Sequence, residues 1–189
     1  EARVLQALLA RYVFPKGYTV HFPKENYSLC HIVAAANAVS RGEGLPTIQA
    51  TPQARRFMSD WIQSRVGERK LITITLRECS YEQPRNSNLE AWGAFARNLN
   101  PSIYYPVVIR DTEVAFRPLP SELNGLNIFP EASWNIEIRA ALYELSYLNM
   151  SVPNGTNTLS LFNRQSRSLT FKMITPSCGA TTEAHFRSQ

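Results

Sequence analysis

The feature that most constrains the fold is a change of pattern near Leu71, after which short β-rich runs alternate with amphipathic helical runs. The first run, LITITL at residues 71–76, is rich in β-branched residues and apolar on both faces except for its threonines. That composition is typical of a strand buried inside a parallel sheet. Strands that alternate with helices predict β-α-β units joined in one sheet. The second half of the chain is therefore predicted to be an α/β domain with a parallel, Rossmann-like sheet.

The spacing of apolar residues places the individual elements of this domain. The predicted strands lie at residues 71–76, 105–109, 126–129, 147–152 and 169–174. The predicted helices lie at residues 88–99, 136–145 and 158–163. Residues 181–189 resemble the start of another element. Because a complete doubly wound domain usually has about six strands, we expect the chain to be truncated at its C-terminus.

The first part of the chain predicts a second, incomplete domain. Residues 18–22 (YTVHF) form a short β-rich run and residues 29–39 an alanine-rich helical run, which together indicate one β-α unit. We therefore interpret residues 1–45 as a small remnant of a second α/β domain. Residues 46–69 are interpreted as a linker with a bridging helix at 53–65, and residues 70–189 as the nucleotide-binding domain.

Charge and cysteine content exclude several functional classes. The 20 basic residues that give a net charge of +5 are scattered, which argues against a nucleic-acid-binding arm but is compatible with a basic pocket for a phosphorylated small molecule. Three widely spaced cysteines form neither a disulfide framework nor a metal motif. No apolar run reaches the roughly 18 residues of a membrane span. We therefore expect a cytoplasmic protein without a membrane span.

The loop after the first predicted strand is the first candidate for ligand binding. In open α/β sheets, ligands bind beyond the carboxyl ends of the strands, next to helix N-termini. Arg77 ends the strand, and a guanidinium facing a capped helix start would form a diphosphate cradle. Alternatively, Arg77 pairs with Glu78 or Glu82 at the surface, and Asn86 or Ser87 only caps the helix. The residues directly before the helix are Arg85, Asn86, Ser87 and Asn88.

Two later loops add further candidates. The turn after the fourth strand consists of Asn154, Gly155, Thr156 and Asn157, and its glycine permits a positive φ and a close approach of the backbone to a ligand. An ordinary strand-to-helix turn would have the same sequence. Asp111 and Glu113 follow the second strand, where an acidic residue can accept hydrogen bonds from a ribose. A solvated loop is the alternative for both.

The order of segments resembles the C-terminal half of GT-B glycosyltransferases over roughly residues 45–175. The segments are LPTIQATPQA, ITITLR, NSNLEAWGAFARNL, VVIRDTE, IRAALYELSYL, NMSV and NGTNTLSLFN. In heptosyltransferase-like members an Asp-Ser-Gly-Pro turn binds the donor phosphate, and Asn154 to Asn157 occupy that position without the acidic residue. In fucosyltransferase-like members the first strand ends in an arginine that contacts the donor diphosphate, which corresponds to Arg77.

The resemblance implies a sugar-nucleotide-dependent glycosyltransferase that acts on a glycan or related acceptor, with a nucleotide sugar as donor and no metal. It also implies that the general base belongs to the N-terminal domain. A non-catalytic nucleotide or nucleotide-sugar binding module remains an alternative. A Rossmann-like methyltransferase is disfavoured because no glycine-rich loop follows the first strand, and GxSxG, HExxH, P-loop and GxGxxG motifs are absent from the sequence.

Overall fold

The computed structural model describes residues 37–44, 47–176 and 182–187. The chain divides into two compact units, residues 1–47 and residues 48–189. In the first unit, residues 37–40 are helical. The predicted strand at 18–22 and most of the predicted helix at 29–39 lie outside the described residues. The assignment of residues 1–45 to a remnant domain therefore stays a prediction.

The second unit contains a five-stranded sheet in which every pairing is parallel, as predicted. Its strands are β1 (Lys70–Thr75), β2 (Tyr104–Ile109), β3 (Asn127–Ile128), β4 (Leu148–Ser151) and β5 (Ser168–Thr170). Their order in the sheet is β3-β2-β1-β4-β5. The chain builds outward from β1 to β3 and then returns to place β4 on the other side of β1. The direction of winding thus reverses between β1 and β4, which is the topological switch point of a doubly wound sheet.

Helices at the predicted positions accompany these strands. They are α1 (Pro52–Arg65), α2 (Leu89–Asn98), α3 (Glu131–Trp134), α4 (Ile136–Leu145), α5 (Asn157–Leu161) and α6 (Glu183–Arg187). The bounds of α1, α2, α4 and α5 agree with the predictions to within two residues. Helix α6 lies where only the start of an unspecified element was expected, and the sequence pattern did not indicate α3. This single turn directly precedes α4 and is separated from it by Asn135. The Asn135 side chain accepts hydrogen bonds from the amides of Glu137 and Ile138 and so caps α4.

Both faces of the sheet are covered, because alternate strand residues point to opposite sides. On one face, Leu71 packs in a core with Met58 of α1 and Leu142 of α4. On the other face, Ile72 and Ile74 pack with residues of α2 and with Leu123, in the turn between β2 and β3. The helix at 52–65, which was expected to bridge two domains, thus contributes to the core of the second unit.

The last strand is shorter than predicted. We expected a strand at residues 169–174, but β5 ends at Thr170. Lys172 has a φ of 55°, a left-handed conformation that interrupts an extended strand. The ring of Phe171 packs edge-on against Trp92 of α2, with 5.3 Å between the centroids. The Nζ of Lys172 donates to the carbonyl oxygen of Asn86 at 3.0 Å. The segment after β5 therefore contacts α2 and the loop before it instead of continuing as a strand.

Candidate functional site

A cavity of about 760 Å³ opens at the carboxyl ends of β1 and β4, at the switch point of the sheet. Its wall combines the loops that follow β1, β2 and β4 with parts of α4, α5 and β5. Four arginines line the cavity: Arg77, Arg85, Arg110 and Arg139. Among the described residues, Asp111 is the only acidic side chain in the lining. The cavity therefore combines the position of a ligand site with a cationic wall.

Arg77 lies at the strand end, as predicted, but its side chain is 4% exposed and forms its hydrogen bonds within its own loop. Its Nη1 donates to Asn86 Oδ1 at 2.5 Å and to the carbonyl oxygen of Glu82 at 3.2 Å. Its Nη2 donates to the carbonyl oxygen of Tyr81 at 3.3 Å and lies 3.9 Å from the Glu82 carboxylate. Arg77 thus pairs with Glu82, as the alternative interpretation held, but it is buried rather than at the surface.

The residues before α2 form the other end of this loop and divide into two groups. Arg85 lines the cavity and forms an ion pair with Glu82 at 2.6 Å. Asn86, Ser87 and Asn88 do not line the cavity. Asn88 caps α2 by accepting from the amide of Ala91, so the cap is one or two positions later than the sequence suggested. The diphosphate cradle between Arg77 and the start of α2 stays a prediction, with these three residues outside the cavity wall.

Asn86 and Ser87 instead close the loop on itself. Arg77 and Ser87 are joined by two hydrogen bonds: the Arg77 amide donates to the side-chain Oγ of Ser87, and the Ser87 amide donates to the Arg77 carbonyl oxygen. The Asn86 side chain exchanges hydrogen bonds with both backbone groups of Cys79. These contacts hold residues 77–87 as one ordered unit beside the cavity.

Arg110, directly after β2, was not among the predicted residues. Its side chain is buried and forms a bidentate pair with Glu78, at 3.0 Å from Nε and 2.8 Å from Nη2. Its Nη1 donates to the carbonyl oxygen of Arg117 at 3.2 Å. Arg110 therefore ties the loops after β1 and β2 together, and Glu78 neutralises its charge.

Arg139, on α4, was also missed by the sequence analysis. It is 5% exposed, and its Nε donates to the carbonyl oxygen of Ala132. In the part of the chain that the structure describes, its terminal nitrogens form no hydrogen bond and no carboxylate pairs with it. The available signal was an arginine four residues before Tyr143 on a predicted amphipathic helix, since these positions share one helical face.

The loop after β4 contributes the predicted residues Asn154, Gly155, Thr156 and Asn157 to the cavity wall. Asn154 Oδ1 accepts from Thr156 Oγ1 at 2.7 Å and from the Asn157 amide at 3.1 Å, which orders the start of α5. Gly155 does not have the positive φ that its identity permitted. A Cβ at this position would meet no atom within 4 Å. The glycine therefore leaves space in the cavity rather than allowing a special turn.

Tyr143 connects the two strand ends across the switch point. Its hydroxyl is hydrogen-bonded to Thr75 Oγ1 at 2.7 Å, at the end of β1, and lies 3.5 Å from Thr156 Oγ1 in the loop after β4. Both threonines line the cavity, and Tyr143 is buried behind them. The hydroxyl groups at the cavity wall are thus held in place from α4.

Asp111 lines the cavity, whereas Glu113 does not. The Oδ2 of Asp111 accepts from Cys79 Sγ at 3.0 Å, and Glu113 Oε2 accepts from the amide and hydroxyl of Ser80. Burial, the hydrogen bond to Asp111 and the negative charge of Asp111 raise the pKa of the Cys79 thiol to about 11. Cys79 therefore remains a protonated donor to Asp111 at neutral pH.

Part of the cavity wall is apolar. Leu161 at the end of α5, Leu169 of β5 and Met173 all line it, and each is exposed. Exposed apolar side chains and arginines in one cavity wall favour a ligand with one anionic part and one apolar or planar part.

Comparisons with protein-family models, with curated proteins and with solved structures found no match to this chain. The described residues contain no group of three or more His, Cys, Asp or Glu side chains that could hold a metal ion. Among the same residues, no helix is long and apolar enough to cross a lipid bilayer.

Proposed function

We propose that the protein binds a nucleotide sugar in this cavity and acts as a sugar-nucleotide-dependent glycosyltransferase of the GT-B type, with a glycan or related acceptor. The observation that supports the proposal is the position of the arginine-lined cavity. Open parallel α/β sheets bind nucleotides at the switch point, outside the carboxyl ends of the strands. The volume of about 760 Å³ lies in the range of small-molecule sites.

In such an enzyme, the barrier falls mainly when the protein stabilises the nucleoside diphosphate that leaves. The positive charges around the cavity would supply this stabilisation without a metal ion. Of the two predicted diphosphate-binding arginines, Arg85 is the one whose side chain lines the cavity and is partly exposed. The general base of the proposed reaction would come from outside the cavity residues described here. The free thiol of Cys79 fits a cytoplasmic location, which we include in the proposal.

The first test is a thermal-unfolding screen with UDP-, GDP-, CMP- and ADP-sugars. A ligand that binds only the folded state raises the unfolding midpoint by mass action. We expect one nucleotide class to raise the midpoint in a concentration-dependent way and to give a binding isotherm by calorimetry. If none of the four classes binds, the proposed function is wrong.

The second test places the ligand in this cavity. Because a Cβ at Gly155 would extend into open space, Gly155→Leu should fill part of the site and weaken nucleotide-sugar binding, with little effect on the unfolding midpoint. Gly44→Leu is the matched control, since a side chain there also meets no atom within 4 Å and Gly44 does not line the cavity. Equal affinity for both variants would place the ligand elsewhere.

A non-catalytic nucleotide-binding module is the second candidate. It is favoured by the contacts of Asp111, which is the only acidic side chain of the described residues in the cavity wall. Because Asp111 already accepts hydrogen bonds from Cys79 Sγ and the Glu78 amide, it is poorly placed to act as a general base. Turnover separates the two candidates. An enzyme releases the nucleoside diphosphate when donor and acceptor are both present, whereas a module binds the nucleotide sugar and leaves it intact.

A further inference from the structure

We propose that Arg139 binds a phosphoryl group in the cavity. This inference deepens the proposed function, because it names the residue and the chemical group through which the ligand is held. The inference depends on the proposed function in one respect: the phosphoryl group is assumed to belong to a nucleotide sugar. The binding of the anion itself can be tested separately.

The balance of charge distinguishes Arg139 from the other arginines of the cavity. Arg77 and Arg85 both lie near the carboxylate of Glu82, at 3.9 Å and 2.6 Å. Arg110 forms its bidentate pair with Glu78. No carboxylate of the described residues pairs with Arg139, although it is 5% exposed. A guanidinium keeps its proton in proteins, so its charge can be neutralised only by an anion.

The terminal nitrogens of Arg139 are accessible from the cavity. Among the described residues, the only fully buried side-chain nitrogen or oxygen without a hydrogen bond is Glu144 Oε1. The terminal nitrogens of Arg139 also form no hydrogen bond with the described residues, but they are not among the fully buried atoms. They therefore keep some exposure to solvent. Since Arg139 lines the cavity, they open onto it. The cavity is thus the place from which an anion would reach the guanidinium.

The surroundings orient the guanidinium for bidentate binding. The bond from Nε to the carbonyl oxygen of Ala132 fixes one edge of the group and leaves the two terminal nitrogens as a fork. One turn further along α4, Tyr143 holds the hydroxyls of Thr75 and Thr156 at the cavity wall. Thr75 and Arg139 line the same cavity, and the Thr75 hydroxyl can donate to a phosphoryl oxygen when Tyr143 is the donor of the bond between them.

The experiment measures pyrophosphate binding by isothermal titration to the wild type and to Arg139→Gln. We expect the wild type to bind and the variant to bind at least about tenfold more weakly, as for the loss of a hydrogen bond to a charged group. Arg56→Gln is the control, because it removes the same charge from an exposed position on α1 that does not line the cavity. Undiminished binding by Arg139→Gln would overturn the proposal.

The thermal stability of the same variant separates ligand binding from a structural role. Without added anion, Arg139→Gln should keep or raise the unfolding midpoint, because a buried charge without a counter-charge is removed. Pyrophosphate should raise the midpoint of the wild type only, compared with sodium chloride at equal ionic strength. A lower midpoint for the variant with an intact response to pyrophosphate would make Arg139 a structural residue.

If Arg139→Gln does not fold, Arg139→Lys provides the test, because an ammonium keeps the charge but not the fork. Weaker pyrophosphate binding than in the wild type supports the proposal, and equal binding contradicts it. Malonate serves as the carboxylate probe, and binding as tight as that of pyrophosphate would contradict a phosphoryl site. If pyrophosphate binds through Arg139 but no nucleotide sugar does, the anion site stands and the proposed glycosyltransferase function fails.

Discussion

At the scale of single residues, Arg77 shows how a guanidinium at a strand end can order the loop that surrounds a site. Its terminal nitrogens donate to the backbone of Tyr81 and Glu82 and to the side chain of Asn86. Glu82 itself has a φ of 48°, an uncommon conformation for a residue other than glycine. The contacts with Arg77 stabilise this conformation, and so the loop depends on the buried arginine.

We predict that Arg77→Ala lowers the free energy of unfolding by about 2 to 3 kcal/mol, because several acceptors of a charged donor lose their partner. Arg77→Lys should recover less than half of this loss, since an ammonium cannot reach acceptors on three residues in the same geometry. Urea unfolding measures both. Arg56→Ala, at an exposed position of α1, is the control and should change stability by less than about 0.5 kcal/mol. Wild-type stability of Arg77→Ala would show that the loop does not depend on this side chain.

A second prediction at this scale concerns the thiol of Cys79. Its pKa of about 11 is raised from an ordinary 9.0 by burial and by Asp111. Since the thiolate is the reactive form, alkylation below pH 9 should be on the order of a hundredfold slower in the folded protein than in the unfolded chain. Peptide mass spectrometry after iodoacetamide treatment measures the rate at Cys79 alone.

The Asp111→Asn variant supplies the control for this prediction. Removing the carboxylate lowers the pKa of Cys79, and alkylation of the folded variant at pH 8.5 should be faster than that of the folded wild type. The same raised pKa implies that the contribution of Cys79 to stability is complete below about pH 9 and is lost as the pH rises toward 11. Equal alkylation rates in folded wild type and variant would contradict the role of Asp111.

At the scale of elements, Gly93 determines how closely α2 approaches the turn at Ser121–Leu123. A Cβ at Gly93 would lie 2.2 Å from the carbonyl oxygen of Glu122. The same oxygen accepts from Nη1 of Arg97 at 2.9 Å, so its position is held from α2. Glycine inside a helix costs roughly 1 kcal/mol relative to alanine, and the close approach of the turn explains its presence.

Gly93→Ala should therefore destabilise the protein although alanine is the better helix former. The clash with a backbone atom forces the turn away, at a cost of about 1 to 3 kcal/mol that exceeds the gain in helix propensity. Thermal and urea unfolding measure the change. Gly155→Ala is the matched control, because its Cβ meets no atom within 4 Å and stability should change by less than about 0.5 kcal/mol. A stabilised Gly93→Ala would show that helix propensity outweighs the contact.

At the scale of the whole second unit, Glu144 joins three segments that are distant in sequence. It is buried on α4, and its Oε2 accepts from the Ala50 amide at 3.0 Å and from Asn163 Nδ2 at 2.7 Å. Its Oε1 pairs with Nη1 of Arg55 on α1 at 3.0 Å. The Glu144 carboxylate therefore connects α4, which also carries Arg139, to the segment before α1 and to the residues after α5.

We predict that Glu144→Ala lowers the free energy of unfolding by about 3 to 5 kcal/mol, because the buried Ala50 amide and the buried Asn163 side chain both lose their charged acceptor. Glu144→Gln should cost less, since it keeps the shape and one acceptor oxygen. Glu137→Ala, an exposed position on the same helix, removes the same charge and should cost less than about 1 kcal/mol. Similar losses for Glu144→Ala and Glu137→Ala would exclude a special role for Glu144.

The sequence by itself determined the parallel α/β class, the helices at 53–65, 88–99 and 136–145, and the loops that reach the cavity. These properties follow from local signals, because the period of apolar residues reports which side of an element is buried. The same signals located Asn154 to Asn157 at a strand end, since a turn sequence directly follows a β-rich run.

Only the tertiary structure decided the strand order, the early end of β5 and which arginines of the cavity pair with a carboxylate. Each of these depends on partners supplied by remote parts of the chain: Trp92 packs on Phe171, and Glu78 pairs with Arg110. A local pattern places Arg139 on a helix but contains no information on whether a carboxylate lies opposite its side chain. The physical reason is that periodicity encodes burial along one element, whereas the neutralisation of a charge depends on which elements pack against it.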